Sequence, residues 1–269
     1  MENSFKFHVG VIGAGIMGEA LISSIIKAGF SPSEITISDK RNERLDELKS
    51  KYGCAISSTE DAVSNSHNLL LVVKPQDMDD LLEKIGESIS NNQRVISFAA
   101  GKRTSGIEEF LNEAVAVLRV MPNTPMSVGV GASAISKGQH ATDEDVKAVQ
   151  ELLKASGKTI VVDESLQDAV TATSGSGPAY FFRFVEAMIA GAQDLGLSES
   201  DARTMVIQTI TGAAAMLNQE GANPGVLRQN VTSPKGTTYA ALQVFEGGDL
   251  EGLVKQAMKA ARDRSQELS

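Results

Sequence analysis

Tryptophan is absent from this 269-residue sequence, cysteine occurs once, at Cys54, and histidine only at His8, His67 and His140. A single cysteine excludes an intramolecular disulfide framework and fits a reducing compartment. With so few imidazoles and thiols, a His/Cys metal site is not expected and no metal is assigned. Aromatic residues make up only 4%, so the core must be built from Val, Ile, Leu, Ala and Met. No apolar stretch reaches membrane-spanning length. The segment MENSFKFHVGVIG leads straight into a strand pattern and is not read as a signal peptide, so a cytoplasmic location is expected. Positive charge is also in deficit. A formal net charge of -9 argues against nucleic acid or an anionic membrane as the main partner.

What is present is an alternation. Apolar runs bounded by turn residues occur at 8–12, 34–38, 68–73, 94–99 and 115–120, with polar, helix-length segments such as 17–28, 41–51 and 76–89 between them. Repeated βα units imply a parallel sheet with helices on both faces. Two more strand-like pieces, 131–136 and 158–162, flank a helix at 142–156 that opens on a capping-box pattern, Thr142 with Asp145. Beyond about residue 164 the strand pattern stops. Helices are predicted from Ser176-Gly-Pro178 to about Gly196, with Ser176 as N-cap and Pro178 in the first turn, from Ser198, with Asp201 three residues on, to about Glu220, from Ser233-Pro234 onward, and after Asp249. The boundary is set at 163/164, giving an α/β domain over 1–163 and an all-helical domain over 164–269. Segments 187–192 (AMIAGA) and 207–217 (IQTITGAAAML) are apolar nearly all round, and such helices need burial on every side. About 100 residues of helix can hardly supply that burial alone, so a homodimer through this domain is predicted.

Two turns carry the chemistry. The first is VGVIGAGIMGEA, residues 9–20, a strand running into Gly13, Gly15 and Gly18 and then a helix. In such a fingerprint the first glycine permits the sharp turn, the second lets a pyrophosphate approach the backbone, and the third lets helix and strand pack closely. The helix start supplies free N–H groups and a positive dipole end. The second strand ends in Ser38-Asp39-Lys40-Arg41. An acidic residue there binds the ribose diol of NAD and a basic one the 2′-phosphate of NADP. Asp39 points to the first, Lys40 and Arg41 to the second, and the sequence leaves both open. The loops 72–75, 99–101 and 121–124 fall at strand ends, where ligands of open α/β sheets lie.

The second turn is VTSPKGTT, residues 231–238. Ser233 reads as an N-cap with Pro234 first in the helix, leaving the amides and hydroxyls of Lys235, Gly236, Thr237 and Thr238 in the first turn. A carboxylate is the natural occupant.

The segments GAGIMGEA, VVKP, AAG, RVMPNTP, DAVTATSGSGPAY and VTSPKGTT, in this order, resemble pyrroline-5-carboxylate reductase over nearly the whole chain. The resemblance implies a Rossmann-like α/β N-terminal domain and an all-α C-terminal dimerisation domain, with dimers that assemble into decamers. It implies reduction of L-1-pyrroline-5-carboxylate to L-proline by hydride transfer from NADPH, with NADH as the alternative. It places cofactor contacts at Gly13, Ala14, Gly15, Ile16, Met17 and Gly18, at Val73, Lys74 and Pro75, at Ala99, Ala100 and Gly101, and at Asn230. Asp39 and Lys40 remain the candidates at the cofactor-selecting strand end. Around the substrate it places Glu164, Ser233, Gly236, Thr237 and Thr238. Three departures stand out: Lys235 replaces a glycine of the commoner SPGGTT, Ala172-Thr173 replaces Gly-hydrophobic in the turn before SGSGP, and Asp39-Lys40 stands where many members carry Asn-Arg or Ser at the cofactor-selecting strand end, which leaves NADP preference open.

A protonated cyclic imine is already a good electrophile, so its reduction needs alignment more than acid–base machinery. That fits the lack of histidine after His140. Thr238 is the candidate catalytic residue, through a hydrogen bond to the ring nitrogen. The rival reading, a 3-hydroxyacid dehydrogenase, wants a positioned general base, commonly lysine, and no lysine occurs between Lys158 and Lys235. A second rival, a dinucleotide sensor without chemistry, leaves the second turn unexplained.

Overall fold

The computed structural model describes residues 8–112 and 114–267. The chain divides into two compact units, one of Met1–Pro178 with Ala261–Ser269 and one of Ala179–Ala260. The division differs from the expected boundary at 163/164. Residues 164–178 stay with the sheet because Gln167, fully buried, donates to Ser136 Oγ at 2.7 Å from its amide nitrogen. The end of the last helix joins them through Ser265, whose hydroxyl donates to Asp168 at 2.7 Å.

The first unit is built on eight strands: β1 (Val9–Ile12), β2 (Ile35–Ser38), β3 (Ala55–Ile56), β4 (Asn68–Leu71), β5 (Arg94–Ser97), β6 (Ala116–Met121), β7 (Gly131–Lys137) and β8 (Gly157–Val161). Their order across the sheet is β3-β2-β1-β4-β5-β6-β7-β8. Successive residues point to opposite faces and both faces are covered, so these strands read as continuous apolar runs. Val9, Val11, Leu70, Ile96 and Leu118 pack on one face, against helices α1 (Ile16–Lys27), α2 (Asn42–Tyr52) and α6 (Asp143–Leu153). Ile12, Leu69, Leu71, Val95 and Val117 pack on the other, with α3 (Thr59–Ser64), α4 (Met78–Ile85) and α5 (Thr104–Glu108).

The parallel arrangement expected from the βα units breaks at one place. β6 and β7 pair antiparallel, Leu118 opposite Lys137 and Met121 opposite Ala134. The connection 122–130 contains only a short turn of helix, whereas a parallel neighbour needs a crossover of a dozen residues or more. β8 runs parallel to β7, so its carboxyl end lies at the amino ends of β1–β6.

From there the chain turns into α7 (Gln167–Val170), a π-helical turn at Thr171–Gly175, and α8 (Gly177–Asp194). Ser176 is therefore not an N-cap as expected. It has helical dihedrals, and its N–H closes the wide turn on Thr171 O at 2.8 Å. A turn of this width frees carbonyls, and the hydroxyls of Thr171, Thr173 and Ser174 donate back to the carbonyls of Gln167, Ala169 and Val170.

The second unit holds most of α8, then α9 (Glu199–Leu217), α10 (Pro224–Asn230), α11 (Thr237–Gly247) and most of α12 (Leu250–Glu267). Ser198 caps α9 as expected, accepting from Asp201 N at 3.2 Å. Phe181, Phe182, Met205, Met216, Val244 and Leu253 are exposed on this unit, and its buried apolar residues are Ala202 and Val206. Among the described residues, no helix is long and apolar enough to cross a membrane.

Candidate active site

The strand order reverses between β1 and β4: the chain goes outward through β2 and β3, then returns to pair β4 on the other side of β1. Ligands of open α/β sheets bind at the carboxyl ends of strands beside such a switch. The glycine turn sits there, and its glycines do three different things. Gly13 has φ +98, and a Cβ on it would stand 2.7 Å from Val72 O. A Cβ on Gly18 would collide with Gly13 O. Gly15 meets nothing within 4 Å. Gly13 and Gly18 are therefore required by the protein itself, and Gly15 keeps open the space in front of the turn. No side chain caps α1 at Gly15, and Ile16 beside it is 89% exposed, leaving the first-turn amides to a ligand.

A cleft of about 560 Å³ opens from this turn, lined by Ile12, Gly13, Gly15, Ser38, Asp39, Lys40, Arg41, Thr59, Val72, Val73, Lys74 and Asp77. Much of the expected cofactor set is thus gathered in one place. Pro75 starts the helical turn after Lys74. Ala99 is buried, Ala100 exposed, and Gly101 turns the chain with φ +80. A pyrophosphate fits the glycine turn, because the cradle left by Gly15 is the volume a side chain would have filled.

The turn is braced by residues that sequence reasoning missed. Arg44 Nε donates to Ala14 O at 3.0 Å. Arg44 is held in turn by Glu19, which also accepts from Lys51 at 2.7 Å and Tyr52 at 3.1 Å. The Lys51 hydrogen bond, opposed by burial and reinforced by Arg44 and Tyr52, lowers the Glu19 carboxyl to a pKa of about 2. In sequence, Arg44 is one charge among several on a polar helix, and nothing marks its target.

At the far end of the first unit's sheet, Asn123 bridges two segments. Its Nδ2 donates to Ser174 O at 3.1 Å and its Oδ1 accepts from Ala132 N at 2.8 Å. This ties the MPNTP segment to the π-helical turn.

Glu164 does not join the glycine-turn cleft. Its oxygens accept from Thr104 N and Thr104 Oγ1, and Arg119 Nη1 stands 3.6 Å away. The position follows from β8, which delivers the chain to the amino-end side of the sheet.

In the second unit, α10 ends at Asn230 and α11 begins at Thr237. Asn230, Ser233, Gly236, Thr237 and Thr238 are therefore brought together. Ser233-Pro234 does not start the helix as expected. Residues 233–236 form a turn closed by Gly236 N donating to Ser233 O at 3.0 Å, with Lys235 at φ +59. A positive φ at the third position of such a turn is the conformation that favours glycine. A Cβ on Gly236 would meet the Ser233 hydroxyl, which can rotate aside, and stand 3.1 Å from Ser233 O. No side chain caps α11, so its first-turn amides stand beside the hydroxyls of Thr237 and Thr238.

Residues 164–268 match the family described as pyrroline-5-carboxylate reductase dimerisation, and residues 8–101 match the one described as NADP oxidoreductase coenzyme F420-dependent. A pyrroline-5-carboxylate reductase of Methanosarcina acetivorans is 42% identical over 271 residues, covering 100% of this chain and 99% of that protein. The chain belongs to the pyrroline-5-carboxylate reductase family.

Solved structures of the family agree. The Coxiella burnetii reductase superposes with a TM-score of 0.93 at 34% identity, covering 98% of this chain and 99% of that one. The Plasmodium falciparum pyrroline carboxylate reductase, solved with NADP bound, gives 0.85 at 28% identity, covering 100% and 99%. Family and fold together are a Rossmann-like α/β part followed by an all-α dimerisation part.

Proposed function

We propose that this chain reduces L-1-pyrroline-5-carboxylate to L-proline with NAD(P)H, the last step of proline biosynthesis. The observation that carries this reading is its full-length likeness to reductases of that name. Neither rival reading, hydroxyacid dehydrogenase or sensor, accounts for that likeness.

The roles divide among the predicted residues. The turn at Gly13–Gly18 holds the pyrophosphate, with Val73, Lys74, Pro75 and Ala99–Gly101 along the rest of the dinucleotide and Asn230 as a further cofactor contact. Ser233, Gly236 and the first-turn amides of α11, including that of Thr237, hold the substrate carboxylate. Thr238 accepts the N–H of the protonated ring imine and orients it. The reduced nicotinamide, when bound, supplies a hydride to the imine carbon. The C=N double bond becomes a single bond, its electron pair neutralises the ring nitrogen, and no separate base is required. The chain's residues thus act by alignment and exclusion of alternative poses. Glu164 is given no step, because its carboxylate holds Thr104 and faces the buried Arg119 guanidinium.

The chain works as a homodimer. The exposed apolar side chains of the helical unit support this, since a second copy would cover them. Assembly of dimers into a decamer, and a cytoplasmic location, belong to the same proposal. The single cysteine, buried and unpaired, supports the latter.

The test is oxidation of NADPH and NADH in the presence of pyrroline-5-carboxylate, with proline measured as product. Folded protein that binds dinucleotide but turns over with neither cofactor would return the sensor reading. Light scattering on the eluted protein gives the assembly size.

A further inference from the structure

At the corner of the cleft that faces the adenosine ribose, the sequence offers contradictory signals, an acid followed by two bases. The hydrogen bonds resolve them. A carboxylate has about four lone-pair directions. Those of Asp39 are taken: Oδ1 accepts from Arg41 N at 2.9 Å and Arg41 Nε at 3.0 Å, and Oδ2 accepts from Ala14 N at 2.8 Å and Arg41 Nη2 at 3.3 Å. Two of these donors are backbone amides and stay in place whatever binds. The Asp39 side chain is only 10% exposed. For a ribose diol to use Asp39 as its acceptor, the Arg41 side chain must first leave.

Arg41 is arranged differently. Its guanidinium carries five N–H donors, and the pair with Asp39 uses the edge formed by Nε and Nη2. The other edge, Nη1 with the second hydrogen of Nη2, remains. That edge matches a phosphate bidentately. The side chain is 62% exposed and lines the cleft beside Gly15. Lys40 stands at the same corner, but its ammonium is paired at the surface with Asp77 at 3.2 Å and its charge is balanced there, which leaves the reading of a phosphate to Arg41.

We propose that Arg41 selects the 2′-phosphorylated dinucleotide, and that Asp39 anchors the glycine turn and orients Arg41 instead of binding the ribose. The acid that would ordinarily repel a 2′-phosphate is neutralised by the residue that reads it. Asp39 nevertheless stays ionised. Burial opposes its charge, but hydrogen bonds from Arg41 and Ala14 outweigh that and lower its pKa below the usual carboxylate value.

The proposal rests on the cleft being the dinucleotide site, and direct binding separates the two. Dissociation constants for NADPH and NADH are measured by cofactor fluorescence, without substrate, on wild type, Arg41→Ala and Arg41→Lys. Wild type should bind NADPH at least tenfold more tightly than NADH. Arg41→Ala should lose most of that ratio through weaker NADPH binding, with NADH binding unchanged or tighter as Asp39 regains two acceptor sites. Arg41→Lys, with charge but no fork, should fall between. The NADPH constant should also rise more steeply with salt than the NADH constant, and that excess should vanish in Arg41→Ala. A wild type indifferent to the phosphate, or a ratio that survives Arg41→Ala, would overturn the selection. Failure of wild type to bind either dinucleotide would overturn the assignment of the cleft as well.

Discussion

Glu164 holds Thr104 twice, accepting its backbone N–H and its hydroxyl, each at 2.8 Å. The same carboxylate is the counter-charge for Arg119, which is almost completely buried on β6 and whose Nη2 has no hydrogen-bond partner. Removing the acid leaves a buried cation uncompensated. Glu164→Ala should therefore cost about 3 kcal/mol of stability, measured by denaturant unfolding, with KM for the imine nearly unchanged. A rise in KM without loss of stability would instead make Glu164 a substrate ligand.

The glycine turn separates folding from binding. Gly18→Ala should lower Tm, because its Cβ meets the backbone of Gly13. Gly15→Ala has open space and should fold as wild type, yet weaken dinucleotide binding tenfold or more by filling the cradle. Paired melting and fluorescence titrations check both; equal dinucleotide affinity in Gly15→Ala would remove the pyrophosphate from that position.

For Thr238→Ala the expected result is a fall in kcat of at least tenfold, with the NADPH dissociation constant held within about twofold, since the hydroxyl is assigned to the imine alone. Thr238→Ser should recover much of the rate. Steady-state kinetics alongside cofactor titration tells the two effects apart.

Lys235 sits where a left-handed conformation is imposed by the Ser233–Gly236 turn. An L side chain pays roughly 1–2 kcal/mol there, against the 0.4–1 kcal/mol by which glycine loosens the unfolded chain. Lys235→Gly should thus gain about 0.5–1 kcal/mol in urea unfolding. No gain would mean that the lysine side chain repays the strain through a contact of its own.

Acid should act on the brace beneath the glycine turn. The Glu19 carboxyl is lowered from 4.5 to about 2, first by its Lys51 hydrogen bond. Its folded value lies below its unfolded one, so its stabilisation is complete above about pH 4.5 and is lost as pH falls through about 2. Glu19→Gln should cost about 1 kcal/mol at neutral pH and flatten the decline of Tm over that acid window. Parallel melts of the two proteins between pH 6 and pH 2 test this.

Much of the fold was legible because fully buried strands write themselves as apolar runs: 68–73 and 94–99 could hardly be anything else. β3 was not, being the two residues Ala55–Ile56, too short for any period. The direction of β7 was hidden because side-chain alternation carries no polarity, although the short 122–130 link was a clue. α10 escaped notice because its seven residues, Pro224–Asn230, fall inside what reads as a glycine- and asparagine-rich loop. In the site, the glycine fingerprint and the 233–238 residues could be named from sequence, since backbone chemistry dictates their types. Ser176 and Ser233 misled as helix caps. Local capping rules cannot see a π-helical turn continuing from α7, nor a turn that delays α11 by three residues. Partnerships over long separations, Asp39 with Ala14, Arg44 with Ala14 and Glu164 with Thr104, left no local trace at all.

The bond from Ala14 to Asp39 has one more consequence. The carboxylate that steadies the pyrophosphate turn is the one that aims Arg41, so the adenosine and diphosphate corners of the cleft share a single mechanical joint. Their contributions to affinity should not add. In a double-mutant cycle, Gly15→Ala and Arg41→Ala together should cost less than the sum of their separate effects. Exchanging cofactor preference in this chain would then mean rebuilding the glycine turn's support together with the loop after β2.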